Sequence, residues 1–300
     1  MLKFLKNYTL PFAMLTGIIG HSVFVYLSFL TPVLIFSMLL LTFCKVSFSE
    51  LKPTLLHGWL LLIQLVGAPV VYLLFRQFDE VIAQAAMICV ICPTATSAAV
   101  ITAKLGGNAA SLIAYTLIIN VGVAVVVPIM FPLINPQSDV SFWGAAFLIL
   151  NKVFMLLICP FLTAWFLRRF VPKAHNVLLS LSEWAFYLWA FALVVVTSQV
   201  FSSMLANSAE IQVGIPIAFV TLFICCLQFF IGKTLGSVYR DRISAGQALG
   251  QKNTILAIWM AHTYLNPLAA VGPGLYVLWQ NVINSYQLWL KNKRMARKGN

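Results

Sequence analysis

Apolar runs of about 20 residues recur from one end of the chain to the other, and almost no charge interrupts them. Of the 300 residues, 61% are hydrophobic and only 9% are charged. Soluble globular domains carry about 25% charged residues, so this chain has too few to cover a surface that faces water. At roughly 20 residues per transmembrane helix, ten spans take about 220 residues and leave about 80 for loops and tails. This pattern excludes a soluble enzyme, a nucleic-acid binder and a disordered chain. It predicts an all-α polytopic membrane protein, one membrane domain over residues 1–300, with almost nothing outside the bilayer. A transmembrane β-barrel fits poorly, because the runs are too long and do not alternate with a period of two.

The runs parse into ten candidate spans at 10–25, 28–48, 53–75, 81–105, 108–134, 143–168, 176–205, 211–238, 242–265 and 267–290. Orientation comes from the basic residues, because Lys and Arg near span ends collect on the cytoplasmic side. With the N-terminus inside, that side collects Lys3, Lys6, Lys45, Lys52, Lys104, Arg168, Arg169, Lys173, Lys233, Arg240, Arg242 and the tail residues Lys291, Lys293, Arg294, Arg297 and Lys298. Only Arg76 falls outside, while Lys152 and Lys252 fall within spans. The net charge of +12 therefore reads as topology rather than as a footprint for nucleic acid. Both termini are expected in the cytoplasm, and the membrane is expected to be a bacterial inner membrane. The basic tail reads as a topology anchor or as a contact with anionic lipid. No small-residue cleavage site follows the first apolar segment, which starts near Leu10, so that segment is expected to be retained. The six cysteines, Cys44, Cys89, Cys92, Cys159, Cys225 and Cys226, lie in apolar segments and are expected to be buried thiols.

Two spans carry breaks. The fourth is interrupted by Cys92-Pro93-Thr94-Ala95-Thr96-Ser97. Proline removes a backbone donor, and the hydroxyls of Thr94, Thr96 and Ser97 can cap a helix that restarts there. The ninth is interrupted by Gly246 through Thr254, which includes Gln251, Lys252 and Asn253. Backbone freed at such breaks survives in a bilayer only when it is buried in protein or lines a watery cavity. The breaks occupy the fourth of the first five spans and the fourth of the last five. Five is odd, so the two halves, 1–137 and 138–300, would enter the membrane with opposite topology. Matching interruptions in two halves point to the binding site of a transporter.

Lys252 lies about ten residues into its span, near mid-depth at 1.5 Å per residue. A central lysine costs at least about 2.5–3.5 kcal/mol on insertion scales. Three readings stand: a pair with Glu183, a cap on free carbonyls at the break, or a fixed or titratable cation at a transport site. Glu183 itself reads equally as a structural or a transport residue. Lys152 is close enough to the end of its span to snorkel. His21, His57 and His262 lack metal-ligand spacing and read as hydrogen-bonded structural residues. Gln280, Asn281 and Asn284 share the last span, and the 281/284 spacing puts two amides on one face.

The stretch Ile91-Cys92-Pro93-Thr94-Ala95-Thr96-Ser97-Ala98-Ala99-Val100 resembles the bile acid:sodium symporter family. So do Gly106-Gly107-Asn108-Ala109, the stretch Gly250-Gln251-Lys252-Asn253-Thr254-Ile255-Leu256-Ala257, and the Gln64…Pro69 pattern. The resemblance implies ten helices in two inverted five-helix repeats, with helices 4 and 9 crossing at their breaks. It implies a panel of helices 1, 2, 6 and 7 and a core of helices 3, 4, 5, 8, 9 and 10. It further implies alternating-access transport of an organic anion, with sodium bound behind the crossover. The sodium-ligand positions it implies are mostly lost. The acid falls on Ala248, the glutamine of the Gln-Asn pair falls on Lys252, and the Ser-Asn pair falls on Ala98 and Ala99. One helix-5 hydroxyl position falls on Leu112. Gln64 and Thr116 match, and Asn253 is kept. Sodium prefers hard oxygen ligands, as other hard cations do, and an ammonium at Lys252 would repel it.

The expected function is a sodium-independent secondary transporter of a small organic anion. Its expected substrate and crossover residues are Pro93, Thr94, Thr96, Ser97, Gln251, Lys252, Asn253, Thr254 and Asn281, with Lys252 the coupling residue. No metal or other cofactor is expected, and the expected partners are the anion and the lipid bilayer. A sodium-coupled symporter of a bile acid-like anion is the alternative, followed by a ligand-binding receptor or a passive channel. Paired acids, a histidine cluster and a phosphate-binding loop are missing from the sequence, which speaks against an enzyme or an ATP-driven pump.

Overall fold

The computed structural model describes residues 12–45, 52–95, 97–136, 141–206 and 211–298. Helix α1 covers residues 12–19. It is followed by α2 (His21–Phe24), a 3-10 segment (Val25–Leu30), α3 (Thr31–Cys44), α4 (Leu55–Arg76), α5 (Glu80–Ile91), α6 (Ala98–Leu105) and α7 (Ala109–Ile134). Then come α8 (Phe142–Leu157), α9 (Cys159–Phe170), α10 (Pro172–Ser180), α11 (Trp184–Ala206) and α12 (Ile211–Val238). The chain ends with α13 (Arg242–Gly250), α14 (Thr254–Tyr264) and α15 (Val271–Lys298).

Among the described residues, four helical stretches are long and apolar enough to cross a membrane: His21–Cys44, Leu55–Arg76, Ala109–Ile134 and Gly214–Val238. A fifth forms if α8 and α9, bent by 41°, count as one span. Their outward faces are apolar. On α12, Ile215, Phe219, Phe223 and Phe230 are all more than half exposed and lie on one side of the helix. Water would not tolerate such stripes, whereas lipid does. The protein is therefore an integral membrane protein.

Three of the departures of the helix boundaries from the sequence parse have a local physical cause. The first two spans were expected to part between residues 25 and 28. Instead, Val25–Leu30 tightens into a 3-10 helix that joins α2 to α3. No glycine or proline lies between His21 and Thr31, so the backbone stays paired by tightening rather than opening. The sixth run bends at Ile158, just before Pro160 at the start of α9, where the missing N–H does no harm. The last run restarts in a 3-10 turn, Pro267–Ala270, capped by the Asn266 side chain on Leu268 N at 3.0 Å, and α15 continues to Lys298.

The chain forms two compact units. The first contains α1–α3, α7 from Ala124, α8–α11 and Ile258–Val271. Within it α3 packs on α8, α9 and α11. His175 Nε2 meets Cys44 O at 3.2 Å, and His21 Nδ1 meets Ser202 Oγ at 3.2 Å. The second contains α4–α6, α7 up to Val123, α12 from Ile215, α13, α14 up to Ala257 and α15 from Gly272. Within it α4 packs along α5, and α6 along α13. Helix α4 starts at a capping box in which Thr54 N donates to His57 Nδ1 at 3.1 Å, and His57 Nε2 meets Ser111 Oγ at 3.0 Å. His21 and His57 are thus the hydrogen-bonded structural residues expected.

Four cysteines are buried, but Cys159 is half-buried and Cys226 is exposed. Cys225 and Cys226 are neighbours on α12. Successive residues turn by about 100° around a helix, so when Cys225 faces the interior Cys226 must face out.

Candidate functional site

Both breaks belong to the second unit, and they meet. Helix α5 stops at Ile91, and Cys92 takes an extended ψ of 135°, as a residue before proline must. Helix α13 stops at Gly250, and Gln251 is likewise extended. The two extended segments pair as an antiparallel bridge, Thr94 with Lys252. Asn253 N donates to Pro93 O and Ala95 N donates to Gln251 O, both at 2.9 Å. Beyond the bridge the helices restart as α6 and α14. Asn253 Oδ1 accepts from Leu256 N at 3.3 Å at the start of α14, and Ser97 Oγ accepts from Gln251 Nε2 at 3.1 Å.

A helix end leaves its last carbonyls without partners, and inside a bilayer each must find one. Three side chains from three different segments satisfy α5. Gln228 Nε2 donates to Cys89 O at 3.1 Å, and Lys252 Nζ donates to Val90 O at 3.0 Å. Gln64 Nε2 donates to Ile91 O at 3.2 Å and to Cys92 O at 2.7 Å. The other end of Gln64 is held by Tyr115, whose hydroxyl donates to Oε1 at 2.8 Å. Helix α13 is closed the same way. Thr94 Oγ1 donates to Ala248 O at 2.7 Å and Tyr276 Oη to Gly250 O at 2.9 Å. Gln280 brackets the Lys252 peptide, accepting from its N–H at 2.8 Å and donating to its carbonyl at 3.3 Å. Cys92 Sγ donates to Asn253 O at 3.0 Å.

Lys252 is only 1% exposed. Its ammonium lies at the C-terminal end of α5, where the aligned peptide dipoles leave partial negative charge. Of the three readings of this lysine, the carbonyl cap is the contact observed. The pairing with Glu183 concerns a side chain outside the described residues.

Pro93, Thr94, Ser97, Gln251, Lys252 and Asn253 therefore come together at the crossing, and buried Thr254 opens α14. Thr96 lies outside the described residues. Asn281 turns back on its own helix, its Nδ2 donating to Val277 O at 2.6 Å. Gln280 and Asn284 face the broken helix instead, the latter accepting from Gln247 Nε2 at 2.8 Å. The two sodium-site matches both make hydrogen bonds within the protein. Gln64 makes three hydrogen bonds, and Thr116 Oγ1 donates to Leu112 O of its own helix at 2.9 Å. Sequence reading missed Gln228, Tyr115 and Tyr276. A lone glutamine in an otherwise apolar run, as at 64 and 228, was the available signal.

Residues 32–207, more than half of the chain, match the Sodium Bile acid symporter family. Members of that family are transporters rather than enzymes. The chain is also 26% identical over 212 residues to a Bacillus subtilis (strain 168) protein named "Uncharacterized sodium-dependent transporter YocS". That alignment takes in 69% of this chain and 63% of the relative, so the chain spans less than two thirds of the relative's length. The family match contains the first break with its Pro93, and the fold supplies a second break bonded to it. The chain belongs to the Sodium Bile acid symporter family.

Proposed function

We propose that the protein is a secondary transporter that carries a small organic anion across the membrane by alternating access, without sodium. The observation that carries this reading is the fully buried Lys252 ammonium, 3.0 Å from Val90 O at the negative end of α5. A fixed cation there does what a bound sodium ion would do. It neutralises the helix end, holds the two breaks together and leaves a positive field that favours an anion nearby. Pro93, Thr94, Thr96, Ser97, Gln251, Asn253, Thr254 and Asn281 are the proposed substrate and crossover residues around it. In the full architecture ten helices form two inverted repeats, 1–137 and 138–300. Helices 1, 2, 6 and 7 make a panel and the other six a core, with both termini cytoplasmic in a bacterial inner membrane.

The test is uptake of a panel of organic anions by proteoliposomes at fixed pH, with sodium replaced by potassium. Uptake is expected to stay unchanged, and Lys252→Gln is expected to lower it at least tenfold. Uptake that collapses without sodium would overturn the reading. That outcome is the second reading, a sodium-coupled symporter, which the name of the Bacillus relative favours.

A further inference from the structure

The buried face of α15 changes character halfway along. It begins with Tyr276 and Val277 and continues with Gln280 and Asn284, and the half-buried Gln287 and Lys291 extend the same stripe. The last four stand at i, i+4, i+7 and i+11, one stripe of the helix about 16 Å long at 1.5 Å per residue. The broken helix α13 carries Ser244 and Gln247 toward it, with Gln251 just past the helix end, all three buried. The two helices touch where Gln247 Nε2 donates to Asn284 Oδ1. Both run from the crossover toward the turn between α6 and α7. There Ser244 Oγ donates to Asn108 O at 3.0 Å, and Lys291 Nζ donates to Lys104 O at 2.7 Å. A cleft of about 800 Å³ opens at that turn, lined by Gly106, Gly107 and Asn108 together with Lys52, Arg240 and Arg242.

On α15, at and just past the end of α13, and on α6, which packs along α13, five buried polar atoms have no hydrogen-bond partner among the described residues. They are Thr102 Oγ1, Gln247 Oε1, Gln251 Oε1, Asn284 Nδ2 and Gln287 Nε2. Thr102, Gln247, Gln251 and Asn284 are each at least nine-tenths buried. Native interiors rarely leave such groups dry. The set mixes acceptors (two amide oxygens), donors (two amide nitrogens) and a hydroxyl that does both. A cation would call for oxygens alone. Water both gives and takes, and it bridges polar groups of this kind in protein interiors.

We propose that the seam between α13 and α15 is a binding site for a file of water molecules that joins the cleft at Gly106–Asn108 to the broken-helix crossover. The file gives the crossover access to solvent from one face, and it holds whatever the transported substrate is. Gln64 is the built-in dry reference, since both ends of its amide are bonded to protein.

The test is water-edited solid-state NMR on the full chain in lipid bilayers in potassium buffer, which reads the transfer of magnetisation from water to side-chain amides. The amides of Gln247 and Asn284 are expected to build up several-fold faster than that of Gln64. Build-up at the Gln64 rate would overturn the proposal. Exchanging potassium for sodium is expected to leave the Gln247 and Gln251 signals in place, and a sodium-dependent shift would overturn water in favour of a cation. Asn284→Leu is expected to slow transfer to Gln247 while leaving Gln64 unchanged, and unaltered transfer in that variant would overturn the file. Should that variant fail to fold, the wild-type comparison with Gln64 decides alone.

Discussion

At the scale of single residues, the site is an exercise in closing backbone. Gln64 alone serves two carbonyls and one hydroxyl, all buried. Leaving a buried polar group unpaired costs about 1–3 kcal/mol. Gln64→Leu is therefore expected to destabilise the protein by at least about 2 kcal/mol, measured by thermal unfolding in detergent. Unfolding at the wild-type temperature would refute the cap. Lys252 was legible in the sequence as an anomaly, because a mid-span lysine has to have a reason. Its partner was not legible, since a backbone carbonyl carries no residue type and Val90 looks like any other apolar residue. For Gln228 and Tyr276 the side chain was visible in the sequence and the target was not. Each is a lone polar group in an apolar run, and its target is set only when α12 and α15 pack.

At the scale of elements, the breaks were read where they fall, because proline and a cluster of glycine and amide residues have local consequences. How closely helices approach was not readable. At Gly232 a Cβ would collide with the Ala245 carbonyl, so α12 rests on the backbone of α13. Gly232→Ala is expected to cost about 1–3 kcal/mol through overpacking and to lower expression of folded protein. Gly58 makes the opposite case. A Cβ there meets nothing within 4 Å, so Gly58→Ala in the first turns of α4 is expected to raise stability by about 0.5–1 kcal/mol. Paired unfolding measurements on the two variants check both signs. The boundary between the first two apolar runs was misjudged because apolar composition fixes that a segment is buried, whereas hydrogen bonding decides whether it turns or tightens.

At the scale of the whole molecule, charge does the sorting. The basic residues on the expected inner side predict that a reporter fused after Asn300 is active in the cytoplasm, and periplasmic activity would overturn the orientation. The crossover also has a consequence for how the protein is made. The Val90 carbonyl and its partner Lys252 are 162 residues apart. At ribosomal rates of about 5–20 residues per second, the first break is synthesised roughly 8–30 s before the lysine that closes it. During that interval the C-terminal end of α5 has to be held by the insertion machinery or by water, outside its final lipid surroundings. Membrane insertion of the first half is thus provisional, and a chain truncated before residue 252 is expected to be degraded faster than the full chain in a pulse-chase measurement.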